Sequence, residues 1–126
     1  MLTNQDTILV ADDDPLVRAS ICKALRRHGY EVLEAADGEE VLQVMQEYHE
    51  PVPLLISDDR MPELRGTELI AMLRDWYPRM RMLLISGYPA ERVAEREELA
   101  MSTSFLAKPF TMDALVQRVN ELLDAG

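Results

Sequence analysis

The chain has 126 residues, 48% hydrophobic and 29% charged, with 13 Lys and Arg against 23 Asp and Glu for a formal net charge of −10. Such a chain suits one folded domain over residues 1–126, and it excludes a disordered tail and a phosphate-backbone partner, which requires clustered Lys and Arg. A single cysteine, no apolar run near the ~18–20 residues of a membrane span and no signal-peptide layout at the start lead us to expect a cytoplasmic domain without disulfides or membrane insertion.

Short apolar runs alternate with helical patterns along the whole sequence. Thr7–Ala11 (TILVA) is an uninterrupted β-branched run of the kind buried on both faces of a parallel sheet. Asp14-Pro15 then reads as a helix cap followed by proline at the first helical position, with Val17, Ile21 and Leu25 on the core face. Arg26, Arg27 and His28 suit the negative end of that helix, and Gly29 suits its stop. Glu31–Ala35 is the second strand, and Asp37 opens a capping box in which Glu40 reaches back. Leu54–Asp58 is the third strand, followed by a helix around 67–77 that exits at Trp76-Tyr77-Pro78. A fourth strand over 82–86 leads to a charged segment, 90–100, with few apolar anchors and the look of a short exposed helix. A fifth strand over 104–108 precedes a last helix capped by Thr111, with Leu115, Val119 and Leu122 on one face. Strictly alternating strands and helices imply a parallel α/β sheet covered on both sides.

Acidic side chains gather where strands end. Asp12, Asp13 and Asp14 follow the first strand, and Asp58-Asp59 close the third. In open α/β sheets, ligands bind outside the carboxyl ends of the strands. If the first and third strands are neighbours, Asp12, Asp13 and Asp58 converge, and such carboxylates repel unless a cation sits among them. Oxygen ligands in a partly hydrated site suit Mg²⁺. Asp14 is better read as a helix cap and Asp59 as a solvated loop charge. Ser86 and Lys108 close the fourth and fifth strands and offer a hydroxyl and a fixed positive charge. This set suits phosphoryl transfer, with Asp58 as a carboxylate nucleophile.

The stretches ILVADDDP (8–15), SDDRMPELRG (57–66), LLISGY (83–88) and FLAKPF (105–110) resemble the receiver domains of two-component response regulators along essentially the full length. The resemblance implies a three-layer (βα)5 doubly wound parallel sheet, flavodoxin-like or CheY-like, in strand order 2-1-3-4-5. The family's phosphorylated aspartate stands four residues before the proline of a Met-Pro pair, and Met61-Pro62 thereby selects Asp58 over Asp59. By the same matching, Asp13 is a direct ligand of Mg²⁺ (or Mn²⁺), Asp12 acts largely through water, and the backbone carbonyl of Arg60 completes the coordination. Ser86 and Lys108 match the groups that contact the phosphoryl oxygens. Arg60 and Tyr88 match positions that tune hydrolysis, and Phe105 matches the switch aromatic, here without a hydroxyl. Pro109 matches a proline that follows a cis peptide bond in the family.

Glu63, Asp59 and Gly87 depart from the family's commonest residues, Asp59 being the departure nearest the acceptor. The implied partners are a histidine kinase or histidine phosphotransfer protein as donor, and a downstream protein or a second copy on the surface of the fourth helix, fifth strand and fifth helix. Direct DNA binding is not expected. The domain is not expected to be an enzyme beyond taking up and losing its own phosphoryl group, whether it is a stand-alone regulator or a receiver from a hybrid histidine kinase.

Three other readings compete. A Mg²⁺-dependent phosphatase of the haloacid-dehalogenase kind conflicts with the order of the motifs and the lack of a cap domain. A flavodoxin-like electron carrier conflicts with Asp12-Asp13-Asp14, which repel a flavin phosphate. A receiver-like interaction module that is never phosphorylated conflicts with the complete residue set. Cys22, His28 and His49 have no metal-ligand pattern and read as structural or surface residues; the eight methionines read as core filler.

Overall fold

A computed structural model describes residues 6–58, 66–87 and 103–124. Five parallel strands form one sheet: β1 (Thr7–Ala11), β2 (Glu31–Ala35), β3 (Leu54–Asp58), β4 (Arg81–Ser86) and β5 (Thr103–Ala107). They lie in the order β2-β1-β3-β4-β5, the order the family resemblance implies. Four helices are described: α1 (Pro15–Arg27), α2 (Gly38–Glu47), α3 (Gly66–Trp76) and α4 (Met112–Asp124). The helix expected over 90–100 lies outside the described residues, so α4 is the helix anticipated as the fifth. None of the helices among the described residues is long and apolar enough to cross a membrane.

Successive strand side chains point to opposite faces, and each face buries its own cluster. Ile8 and Val10, Leu54 and Ile56, and Leu83 and Ile85 pack with Ile21 and Leu25 of α1 and Leu115 and Val119 of α4. Leu9, Leu55, Met82 and Leu84 point the other way, onto Val41 and Met45 of α2 and Leu69 and Leu73 of α3. Burying both faces requires apolar side chains of both parities, which explains why these strands read as continuous apolar runs. The Tyr30 hydroxyl donates to the Asn120 side-chain oxygen, tying the start of β2 to α4.

Local chemistry sets the helix starts. The Asp14 carboxylate accepts the N–H groups of Leu16 and Val17, with Pro15 opening α1. Asp37 accepts the Glu40 N–H at 2.8 Å. Glu40 reaches back as expected but accepts from the Ala36 N–H at 3.2 Å, one residue before the cap. The Thr111 hydroxyl accepts the Ala114 N–H at 3.0 Å. Gly29 takes φ 90° after α1, the left-handed conformation that glycine enters without a side-chain penalty.

Boundaries differ from the sequence reading by one residue at three elements. β4 begins at Arg81, because the Arg81 N–H bonds the Pro53 carbonyl at 2.8 Å and extends the ladder under a charged side chain. β5 runs from Thr103 to Ala107, one residue earlier than expected, and Pro109 has no N–H to carry its ladder further. α3 runs from Gly66 to Trp76.

Candidate functional site at the carboxyl end of the sheet

Asp12 directly follows β1 and Asp58 closes β3, so the adjacency of those strands joins carboxylates far apart in sequence. One oxygen from each of Asp12, Asp13 and Asp58 lies within 4.8 Å of the others. Asp12 and Asp58 are buried, at 2% and 6% exposure, and Asp13 is exposed, leaving one side of the cluster open to water. Asp14 turns away to cap α1, although its N–H donates to the Asp12 carboxylate at 2.9 Å. Burial pushes the Asp12 carboxyl up to about 6; the Asp58 and Asp13 charges add to this, while the Asp14 N–H and Lys108 oppose it.

The cation expected at this end is in place. Lys108 Nζ donates to Asp58 Oδ1 at 3.1 Å, from a side chain that is partly exposed. The Lys108 N–H donates to the Ser86 carbonyl at 2.9 Å, holding the end of β4 against the residue after β5. Ser86 is buried at the close of β4, and the Lys108–Pro109 peptide bond is cis. The Ser57 hydroxyl bonds the Asp58 carbonyl at 3.1 Å. Among the described residues, a Cβ built on Gly87 would meet the Lys108 Cδ at 4.0 Å, an ordinary van der Waals contact.

Phe105 is half-buried and packs against the cluster under α2 and α3, and its carbonyl accepts Arg118 Nη1 at 2.7 Å. Asp59, Arg60, the Met61-Pro62 pair, Glu63 and Tyr88 lie outside the described residues. Cys22 is a buried free thiol, and His28 and His49 are exposed, apart from the acidic cluster. One side chain at the pocket went unread in the sequence: Arg18 Nη1 donates to the Asp12 carbonyl at 2.7 Å. Its signal was present, because Arg18 precedes the buried Ile21 and Cys22 by three and four residues and so shares their helix stripe.

Three carboxylates and the Lys108 ammonium group make an oxygen-rich pocket with one exposed side, and Ser86 closes the neighbouring strand. That donor set suits a hard divalent cation, whose charge relieves the mutual repulsion of the carboxylates.

Comparison with known proteins agrees with this geometry. The family model for the response regulator receiver domain matches residues 8–120, and the chain belongs to that family. It is similar to the sensor kinase CckA of Brucella abortus, 35% identical over 123 residues, which are 98% of this chain but 13% of that kinase. It is also similar to the response regulator receiver protein CpdR of Brucella abortus, 32% identical over 119 residues covering 94% of this chain and 98% of that protein. Among solved structures, the receiver domain of the hybrid histidine kinase CckA superposes with a TM-score of 0.78 at 37% identity, covering 93% of this chain and 98% of that one. The function is therefore that of a receiver in two-component phosphorelay signalling, and the phosphatase, electron-carrier and phosphate-independent readings are not favoured. Receivers of this family typically bind Mg²⁺ at an acidic pocket and interact with histidine kinases or phosphotransfer proteins.

Proposed function

We propose that Asp58 is the phosphoryl acceptor. The observation that carries the reading is the buried Asp58 carboxylate, grouped with Asp12 and Asp13 and bonded by Lys108. An Asp58 oxygen attacks the phosphorus of a phosphohistidine in line; the P–N bond breaks, and its electron pair stays on the imidazole nitrogen, which is protonated from solvent. The product is an acyl phosphate on Asp58. Lys108 releases its bond to the carboxylate and takes a phosphoryl oxygen, and the Ser86 hydroxyl donates to another. Asp12, Asp13, Asp58 and the Arg60 carbonyl would hold Mg²⁺ or Mn²⁺, which when bound neutralises charge on the transferring group.

The donor is a histidine kinase or a histidine phosphotransfer protein, and the domain works in the cytoplasm. Its own chemistry is limited to gaining and losing this phosphoryl group, without turnover on external esters. Phosphorylation draws Ser86 toward the new oxygens and lets Phe105 repack, altering the surface of the segment 90–100, β5 and α4 for a downstream protein or a second copy. Phe105 lacks a hydroxyl, so burial alone biases this step. Tyr88 partly shields the acyl phosphate. The domain serves either as a stand-alone regulator, as the likeness to CpdR suggests, or as the receiver of a larger kinase, as the likeness to CckA suggests.

Intact mass after treatment with acetyl phosphate tests the reading. A gain of one phosphoryl group only with Mg²⁺, and none in Asp58→Asn, is expected. No adduct in the unmutated chain, and no binding of a stable phosphoryl mimic, would overturn it.

A further inference from the structure

We infer that Arg18 is a positioning residue that clamps the loop presenting Asp12 and Asp13 to the cation. The inference rests on the reading of the acidic pocket as a cation and phosphoryl site. Arg18 lies one turn into α1, and its own N–H bonds the Asp14 carbonyl at 2.9 Å. From there its side chain folds back toward the sheet and is only 20% exposed. Nη1 donates to the Asp12 carbonyl at 2.7 Å, and Nε donates to Glu34 Oε1 on β2 at 3.3 Å.

The carbonyl held by Arg18 belongs to the peptide unit that joins Asp12 to Asp13. Three bonds thereby fix Asp12: its N–H to the Ala35 carbonyl at 3.1 Å, its carboxylate to the Asp14 N–H at 2.9 Å, and its carbonyl to Arg18. Two come from main chain that the fold positions in any case. Arg18 contributes the side-chain member, and the rigid fork of a guanidinium lets it span α1, the loop and β2 at once.

A cationic side chain next to a cation site would ordinarily weaken the site. Glu34 offsets this by pairing with Arg18, so the clamp keeps its geometry without presenting an uncompensated charge. Arg26 also reaches Glu34, at 3.3 Å, and bonds the Val32 carbonyl, but has no bond to the acidic loop. Pairs as exposed as these contribute little to stability. The bond from Arg18 to the Asp12 carbonyl is charge-assisted and part-buried, and holds the peptide between two mutually repelling carboxylates before the cation arrives. Without it, the loop relaxes outward and the cation must reassemble the pocket.

Arg26→Met is the matched control, because it removes a partner of Glu34 without touching the loop. Mg²⁺ titrations followed by amide NMR shifts would be run on the unmutated chain, Arg18→Met, Arg18→Lys and Arg26→Met, with thermal unfolding in EDTA alongside. Arg18→Met is expected to weaken Mg²⁺ binding about tenfold, as loss of an outer-shell partner typically does. Acetyl phosphate labelling would then need proportionally more Mg²⁺ but reach the same extent at saturation. Arg26→Met is expected to bind as the unmutated chain does. Arg18→Lys keeps the charge but lacks the rigid planar fork, so a smaller loss is expected; this variant decides the matter if Arg18→Met does not fold. Unchanged affinity in the folded Arg18 variants, or an equal loss in Arg26→Met, would overturn the clamp while leaving the pocket reading intact. Failure of the unmutated chain to bind Mg²⁺ would overturn the pocket reading and the clamp with it.

Discussion

The two ends of the sheet are built from opposite materials. At the carboxyl end, Asp12, Asp58 and Ser86 are buried, and Asp13 and Lys108 stand at the rim. At the amino end the buried polar groups among the described residues are the hydroxyls of Thr7 and Thr103. There the loops before β3 and β4 wall a cleft of about 510 Å³ with Tyr48, Trp76, Tyr77, Pro51, Pro53 and Pro78. In a parallel sheet every strand enters at one end and leaves at the other, so the two ends receive different loops and can be specialised separately. The amino-end cleft is walled mainly by aromatic, proline and methionine side chains, with Glu50 and Arg79 also in its lining. The carboxyl end collects repelling carboxylates, an arrangement that opposes folding until a cation offsets it.

The largest test of that contrast is Met80→Ala, which empties a buried position beside the amino-end cleft. A loss of about 2–4 kcal/mol in chemical denaturation is expected, with phosphoryl uptake by the folded fraction unchanged. Reduced uptake per folded molecule would break the separation of the two ends.

Asp12→Asn acts in the opposite sense. The folded-state carboxyl is raised from 3.8 to about 6, so the folded chain holds the proton longer than the unfolded one. Cation-free stability from this group is therefore highest below pH 4, falls as pH rises through about 4–6, and stays low above. The asparagine oxygen still accepts the Asp14 N–H while the ionisation is removed. Urea denaturation in EDTA at neutral pH should show Asp12→Asn more stable by on the order of 1–2 kcal/mol, with Mg²⁺ binding impaired. A variant less stable than the unmutated chain would show that the carboxylate contributes to folding after all.

Thr111→Ala removes the side-chain cap of α4 and should lower stability by about 1 kcal/mol, a measurable shift in the thermal midpoint. Trp76→Ala should matter least: the indole is 56% exposed, and an effect within about 0.5 kcal/mol is expected. If loss of Trp76 altered acetyl phosphate labelling, the two ends would be coupled through α3.

Much of this was legible because the sequence expresses both backbone and site chemistry locally. Thr7–Ala11 and Leu54–Asp58 carry the apolar runs of doubly covered strands, and the caps at Asp14, Asp37 and Thr111 stand next to the N–H groups they accept. Asp12, Asp13 and Asp58 declared themselves by standing at strand ends, although only the strand order brings them together. What stayed hidden depends on a partner distant in sequence. Arg81 reads as a loop residue until the Pro53 carbonyl pairs with it. Arg18 shares the inward stripe of α1 in sequence, but the partners its fork meets, Asp12 and Glu34, are set only by the fold. The reach of a long side chain is set by tertiary neighbours, and helical periodicity records only which side of the helix it leaves from.

The bond between Tyr30 and Asn120 spans 90 positions and bears on when the domain matures. The face of β1 that carries Ile8 and Val10 is closed by Leu115, Val116 and Val119 of α4. On the ribosome, β1 and α1 are both synthesised well before α4, the other described helix that covers this face. The half-core beneath α1 therefore waits, partly wet, while the other strands emerge, and it is sealed only when the final helix swings in. β1 and α4 meet at this seam, and a domain stalled before α4 would display Ile8 and Val10 to the chaperones around it.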